Sequence, residues 1–147
     1  GRGETTRLGP TTKPLLLVDE SYNANMASMN AALDVYAGVS PPHGEKVLVL
    51  GDMLELGEQG QELHKSLKDA VLATGATRIF LVGPAIAPLG DLLDESVLAG
   101  KAKNIDQIAD AIVSSLAYGD AVMVKGSKGV RLASLVTKIR ERFQSAA

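Results

Sequence analysis

The chain contains no cysteine and no tryptophan, two histidines, two phenylalanines and three tyrosines among its 147 residues. The absence of cysteine excludes disulfides, a thiolate nucleophile and Cys-based zinc sites, and it agrees with a reducing compartment. His43 and His64 stand far apart and lack the H-E-x-x-H spacing of a zinc-hydrolase helix. No apolar run approaches the ~18 residues of a membrane span, and the start, Gly1-Arg2-Gly3-Glu4, has no signal-peptide core. No sign of charge dominates: 15 Lys and Arg oppose 17 Asp and Glu, a formal charge of −2. That balance gives no overall attraction to nucleic acid or to an anionic membrane. Nor is there a P-loop, since G-x-x-x-x-G-K-[ST] occurs nowhere, and no G-x-G-x-x-G follows a strand. A cytoplasmic protein without a membrane span or a nucleic-acid partner is expected. Because the first residue is Gly rather than Met, the chain is expected to be part of a longer one.

What remains is a strongly patterned α/β sequence long enough for one domain, residues 1–147, burying roughly 68–70% of its unfolded surface. Four apolar runs, Leu15–Val18, Val47–Leu50, Ile79–Val82 and Ala121–Val124, read as strands covered on both faces. Helical stripes alternate with them. Met29, Ala32, Leu33 and Tyr36 fall on one face, with Asn25 as N-cap and Gly38 as stop. Leu63, Leu67, Ala70 and Val71 predict a second helix ending near Gly75. Ile108, Ile112 and Leu116 mark a third, and Leu132, Leu135, Val136, Ile139 and Phe143 a fourth. Such alternation predicts a Rossmann-like three-layer fold, a mostly parallel sheet flanked by helices. Residues 84–104 are broken by Pro84, Pro88 and Gly90, with Lys101–Ile105 expected as a short edge strand. Residues 1–13, punctuated by Gly9-Pro10, predict a hairpin or an extended lead-in.

Each clear strand runs directly into residues suited to ligand contact: Asp19-Glu20-Ser21-Tyr22-Asn23, Gly51-Asp52-Met53, Gly83-Pro84 and Lys125-Gly126-Ser127-Lys128-Gly129. Ligands of open α/β sheets bind outside the carboxyl ends of the strands, so the four turns are expected to share one rim. At Lys125–Gly129 free backbone N–H groups and up to two ammonium groups suit a carboxylate or phosphate, although a solvated basic turn has the same composition. Asp52 and Glu55 suit a cation, a ribose or an ammonium group; Asp52 equally suits a helix cap, and His64 either packs or faces solvent. No self-contained catalytic site emerges from the spacing.

Three of these motifs, in this order, resemble a known family. Asp19-Glu20-Ser21-Tyr22-Asn23-Ala24-Asn25 with Ser28-Met29 and Ala31-Ala32-Leu33, then Gly51-Asp52-Met53-Leu54-Glu55-Leu56-Gly57 with His64, then Val124-Lys125-Gly126-Ser127-Lys128-Gly129, look like the carboxy-terminal domain of the Mur ligases. Tyr22-Asn23-Ala24-Asn25 is similar to the branch that adds D-alanyl-D-alanine, whose relatives tend to carry a histidine or lysine in that turn. Two positions depart from the pattern: Met26 stands where proline is frequent, and Glu20 where a second aspartate is common.

The resemblance implies an ATP- and Mg²⁺-dependent amide-bond ligase of peptidoglycan precursor synthesis, acting on D-alanyl-D-alanine and UDP-N-acetylmuramoyl-tripeptide. It also implies amino-terminal and central domains as partners, with residues 1–13 near the hinge. The P-loop, the magnesium ligands and a modified lysine of such ligases belong to the central domain, so this domain is expected to be inactive alone, with no catalytic or metal site of its own. By the same resemblance Arg2, Asp19, Glu20 and Tyr22 meet the nucleotide, and Asn23, Asn25, Asp52, Lys125 and Ser127 meet the substrate. Two other readings stay open: a sister Mur or folylpolyglutamate-type ligase domain, and a non-catalytic nucleotide- or phosphate-binding module.

Overall fold

The computed structural model of the chain describes residues 4–144. Among them six strands, β1 (Glu4–Leu8), β2 (Leu15–Glu20), β3 (Lys46–Gly51), β4 (Arg78–Val82), β5 (Leu98–Ala102) and β6 (Ala121–Lys125), form one sheet in the order β1-β2-β6-β3-β4-β5. Strands β2 to β6 are parallel, and β1 folds back antiparallel on β2 as a hairpin. The four apolar runs are the four inner strands, flanked by helices on both sides as their two-sided hydrophobicity demands.

Strand alternation divides the core cleanly. Leu16, Val18, Leu48, Leu50, Ile79, Leu81 and Met123 face helix α1 (Met26–Ala37) and the pair α2 (Gly60–Lys65) and α3 (Lys68–Ala73). Their neighbours Leu15, Leu17, Val47, Val49, Phe80, Val82, Val122 and Val124 face α4 (Ala109–Ser115) and α5 (Ala133–Phe143). Each such residue, fully buried, contributes about 1.5–3 kcal/mol relative to exposure. The stripes read from the sequence are the buried ones: Met29, Ala32, Leu33 and Tyr36 in α1, Ile112 in α4, and Leu135, Val136, Ile139 and Phe143 in α5.

Two expectations are corrected. The second helix is not continuous but breaks at Ser66 and Leu67. There the Leu67 amide bonds to the His64 carbonyl in a tightened turn, and the Ser66 hydroxyl donates to the Leu63 carbonyl. The edge strand lies at Leu98–Ala102 rather than Lys101–Ile105. Its end is set by Asn104, whose side chain accepts from the Gln107 amide and opens a 3₁₀ turn over Ile105–Gln107, while the Gln107 side chain takes the Lys103 amide.

The topology decides where a cleft opens. The chain leaves β2 and β3 for helices on one face of the sheet, but leaves β6, which lies between them, for α5 on the other. Both borders of β6 are therefore switch points, where adjacent strand-end turns diverge and leave a crevice.

Candidate functional site

The turn after β2 is organised from within. Asn25 caps α1, its side chain accepting from the Ser28 amide at 2.8 Å while the Ser28 hydroxyl accepts from the Asn25 amide at 3.0 Å. This reciprocal pair satisfies two N–H groups at the helix start. Asp19 is buried and turned back on its own chain, accepting from the Ser21 amide at 3.0 Å and the Ser21 hydroxyl at 2.6 Å. Burial pushes its carboxyl up, and the hydrogen bonds it accepts, those of Ser21 foremost, bring it below its ordinary value. Glu20 is half-buried, Asn23 and Asn25 are exposed, and the Tyr22 ring is 52% exposed.

After β3 the acid expected to meet substrate, Asp52, has backbone partners within the chain. The Asp52 carboxylate is buried and accepts from the amides of Ile86 at 2.8 Å and Ala85 at 3.2 Å, fixing the turn after β4. Gly83 makes room for it: with φ at +124°, a Cβ there would lie 2.3 Å from the Asp52 carboxyl carbon. His64, wholly buried in α2, supports the same turn from below. Its Nε2 accepts from the Met53 amide at 2.8 Å, and its Nδ1 faces the Gly60 carbonyl at 2.5 Å. These partners match the tautomer with its proton on Nδ1. Beyond Met53 the exposed Glu55 holds φ at +65°, a left-handed conformation uncommon outside glycine.

The turn after β6 reaches across to both others. Lys125, 3% exposed, donates from Nζ to the Asn23 carbonyl at 2.9 Å. Burial pushes its ammonium pKa down, and the charge of Glu20 opposes that shift. The Ser127 hydroxyl, also buried, donates to the Ala24 carbonyl at 3.2 Å and accepts from the Leu54 amide at 2.9 Å. The Ser127 amide closes on the Asp52 carbonyl at 3.0 Å. Lys128 is exposed, its Nζ 5.7 Å from the centre of the Tyr22 ring.

Together the three turns enclose a cleft of about 620 Å³ bordered by Asn23, Asn25, Leu54, Glu55, Ser127 and Lys128. A second cleft, of about 280 Å³, continues along the rim past Asp52, Pro84, Lys103 and Arg131. The structure thus brings Asn23, Asn25 and Ser127 to one cleft, with Tyr22 at its edge, while Asp19 and Lys125 lie buried behind it and Asp52, also buried, borders the second cleft. Arg2 lies outside the described residues. Glu55 and Lys128, which the spacing offers as an acid and as one of two ammonium groups but to which the resemblance assigns no role, both line this cleft. Among the described residues no three His, Asp or Glu side chains gather to hold a metal ion, and no helix is long and apolar enough to cross a membrane.

Comparison with known proteins bears on this arrangement. The family model described as Mur ligase, glutamate ligase domain, matches residues 1–128. The UDP-N-acetylmuramoyl-tripeptide–D-alanyl-D-alanine ligase of Rickettsia prowazekii is 34% identical over 120 residues, covering 82% of this chain and 26% of that protein. The enzyme of the same name from Bacillus subtilis is 29% identical over 146 residues, covering 95% and 31%. The one from Escherichia coli is 34% identical over 133 residues, covering 86% and 27%. The chain therefore spans between 26% and 31% of the length of these relatives. Among solved structures, MurF ligase from Thermotoga maritima, in complex with ADP, superposes with a TM-score of 0.75 at 21% identity, over 97% of this chain and 31% of that one. MurF from Acinetobacter baumannii superposes with a TM-score of 0.76 at 23% identity, over 95% and 30%. At such identities the likeness is one of fold.

Proposed function

This chain belongs to the Mur ligase family as its glutamate ligase domain, and from that premise we propose that it is the carboxy-terminal part of the ATP-dependent ligase joining D-alanyl-D-alanine to UDP-N-acetylmuramoyl-tripeptide. One observation carries this reading beyond the family: the cleft at the switch point is lined by a carboxylate, Glu55, and an ammonium, Lys128, together with the amides of Asn23 and Asn25. A dipeptide zwitterion has that polarity, a carboxylate for Lys128 and an ammonium for Glu55, with its peptide group left for the two amides. Tyr22 and the half-buried Glu20 sit at the edge of this wall and suit a nucleotide, the ring for stacking and the acid for a ribose hydroxyl. Arg2 is retained as a phosphate contact on the resemblance alone.

In this proposal the domain presents the amine and the activating chemistry comes from elsewhere. A carboxylate is a poor acyl donor because attack on it would expel an oxide, so the tripeptide carboxyl is first phosphorylated by ATP. Attack by the dipeptide amine then passes through a tetrahedral intermediate whose oxyanion needs fixed positive partners. The chain has no G-x-x-x-x-G-K-[ST] sequence to cradle a triphosphate. Magnesium and the triphosphate are assigned to the rest of the full-length enzyme, and the setting to the cytoplasm.

The test is ADP release by the full-length protein carrying this domain, given ATP, magnesium, the UDP-linked tripeptide and a panel of amines. D-Alanyl-D-alanine should support turnover, and glycine, D-alanine and glutamate should not. Turnover with a single amino acid would place the chain in a sister branch. Nucleotide binding without turnover on any amine would leave only a binding module.

A further inference from the structure

We infer that Lys125 and Ser127 are positioning residues, which hold the cleft wall by its backbone and leave ligand contact to the side chains of that wall. The inference rests on the dipeptide reading for its kinetic arm only. Two residues apart on an extended segment, the two side chains leave the chain on the same side. They take consecutive carbonyls of the turn after β2: Lys125 Nζ holds Asn23 and Ser127 Oγ holds Ala24. Fixing both carbonyls toward β6 fixes the peptide planes on either side of Ala24, which is itself buried. Asn23 and Asn25, the residues flanking it, are left exposed on the cleft.

Ser127 also joins the second wall to the first. Its hydroxyl has one proton, spent on Ala24, and it receives the Leu54 amide, while its own amide closes on Asp52. The residue thus ties the turn bearing Tyr22, Asn23 and Asn25 to the turn bearing Leu54 and Glu55. Removing its hydroxyl strands the Leu54 amide and frees the Ala24 carbonyl, so both walls loosen together. Lys125 is 3% exposed and already donates to a backbone carbonyl, a placement suited to organising a loop and poorly suited to capturing an incoming anion. Among the described residues lining this cleft, Lys128 is the exposed cation.

Kinetics of Lys125→Met and Ser127→Ala in the full-length protein separate positioning from contact when D-alanyl-D-alanine is compared with its carboxamide, which lacks the terminal charge. Positioning predicts that each variant raises KM by about tenfold, equally for both compounds, with Ser127→Thr close to the parent. A Lys125→Met penalty that disappears with the carboxamide would overturn the proposal, because it would mean a direct bond to the carboxylate. Amide hydrogen exchange on the 147-residue chain provides an arm independent of any ligase activity. Ser127→Ala should speed exchange at Leu54 by about tenfold and shift the Ala24 and Asn25 amides, and Ser127→Thr should reverse both. Changes confined to residues 126–128 would overturn the coupling. Loop amides that respond in a protein that does not use the dipeptide would sustain the positioning role and refute the functional reading instead.

Discussion

Removing the His64 ring would strand the buried Met53 amide, take the side-chain partner from the Gly60 carbonyl, and leave a hole beneath the turn that carries Leu54 and Glu55. We expect His64→Ala to lower unfolding stability by about 3 kcal/mol, the sum of a lost ring volume and a stranded buried amide, read from chemical denaturation midpoints. The sequence showed His64 eleven residues beyond Met53, but spacing does not reveal that the ring reaches back under the turn. The same limit hid the burial of Lys125 and Ser127, since strand-end position is legible while the direction of a side chain on that rim depends on the neighbouring turns. Asp19 allows a pH test at the same scale. Its folded-state carboxyl lies below the ordinary value of 3.8, so the stability it contributes is fully present above that value and is lost as pH falls through the folded one. Acidification below about pH 4 should therefore destabilise the parent more steeply than Asp19→Asn, measured by thermal melts across that range. Equal slopes would show that the surroundings of Asp19 in the folded chain do not favour its charged form.

Helix α1 was the most legible element and is secured at both ends. Asn25 and Ser28 close its start, and at its far end the buried Tyr36 donates from its hydroxyl to the Val47 carbonyl at 2.8 Å, tying the helix to β3. Tyr36→Phe keeps the packing and removes only that bond. It should cost about 1 kcal/mol, whereas Tyr36→Ala should cost about 3–5 kcal/mol through the cavity, as read from urea unfolding. Periodicity found α1 because four consecutive stripe positions are apolar and both caps are chemically marked. It failed for α2 and α3 because the break at Ser66 is made by a hydroxyl-to-carbonyl bond and a tightened turn, neither of which disturbs the apolar stripe. At β5 the alternation is weak and the strand lies at an edge, so its limits were set by the Asn104 cap rather than by hydrophobicity.

At the scale of the molecule, a layered sheet with its polar turns on one rim follows from apolar strands alternating with helices, but the order of the strands does not. The last strand inserts between β2 and β3, so the Lys125–Gly129 turn, latest in the chain, lands in the middle of the rim and becomes the post for both neighbouring turns. On the proposed reading, the wall it completes presents a dipeptide to an acyl phosphate made elsewhere in the enzyme. The chain offers a carboxylate, an ammonium and amides on that cleft and has no G-x-x-x-x-G-K-[ST] sequence. The 147-residue chain, given ATP, magnesium, the UDP-linked tripeptide and D-alanyl-D-alanine, should therefore release ADP no faster than a protein-free blank in a coupled assay. ADP release above that blank would mean that the chain activates a carboxylate through groups outside the motifs identified, and the division of labour between this wall and the rest of the enzyme would have to be redrawn.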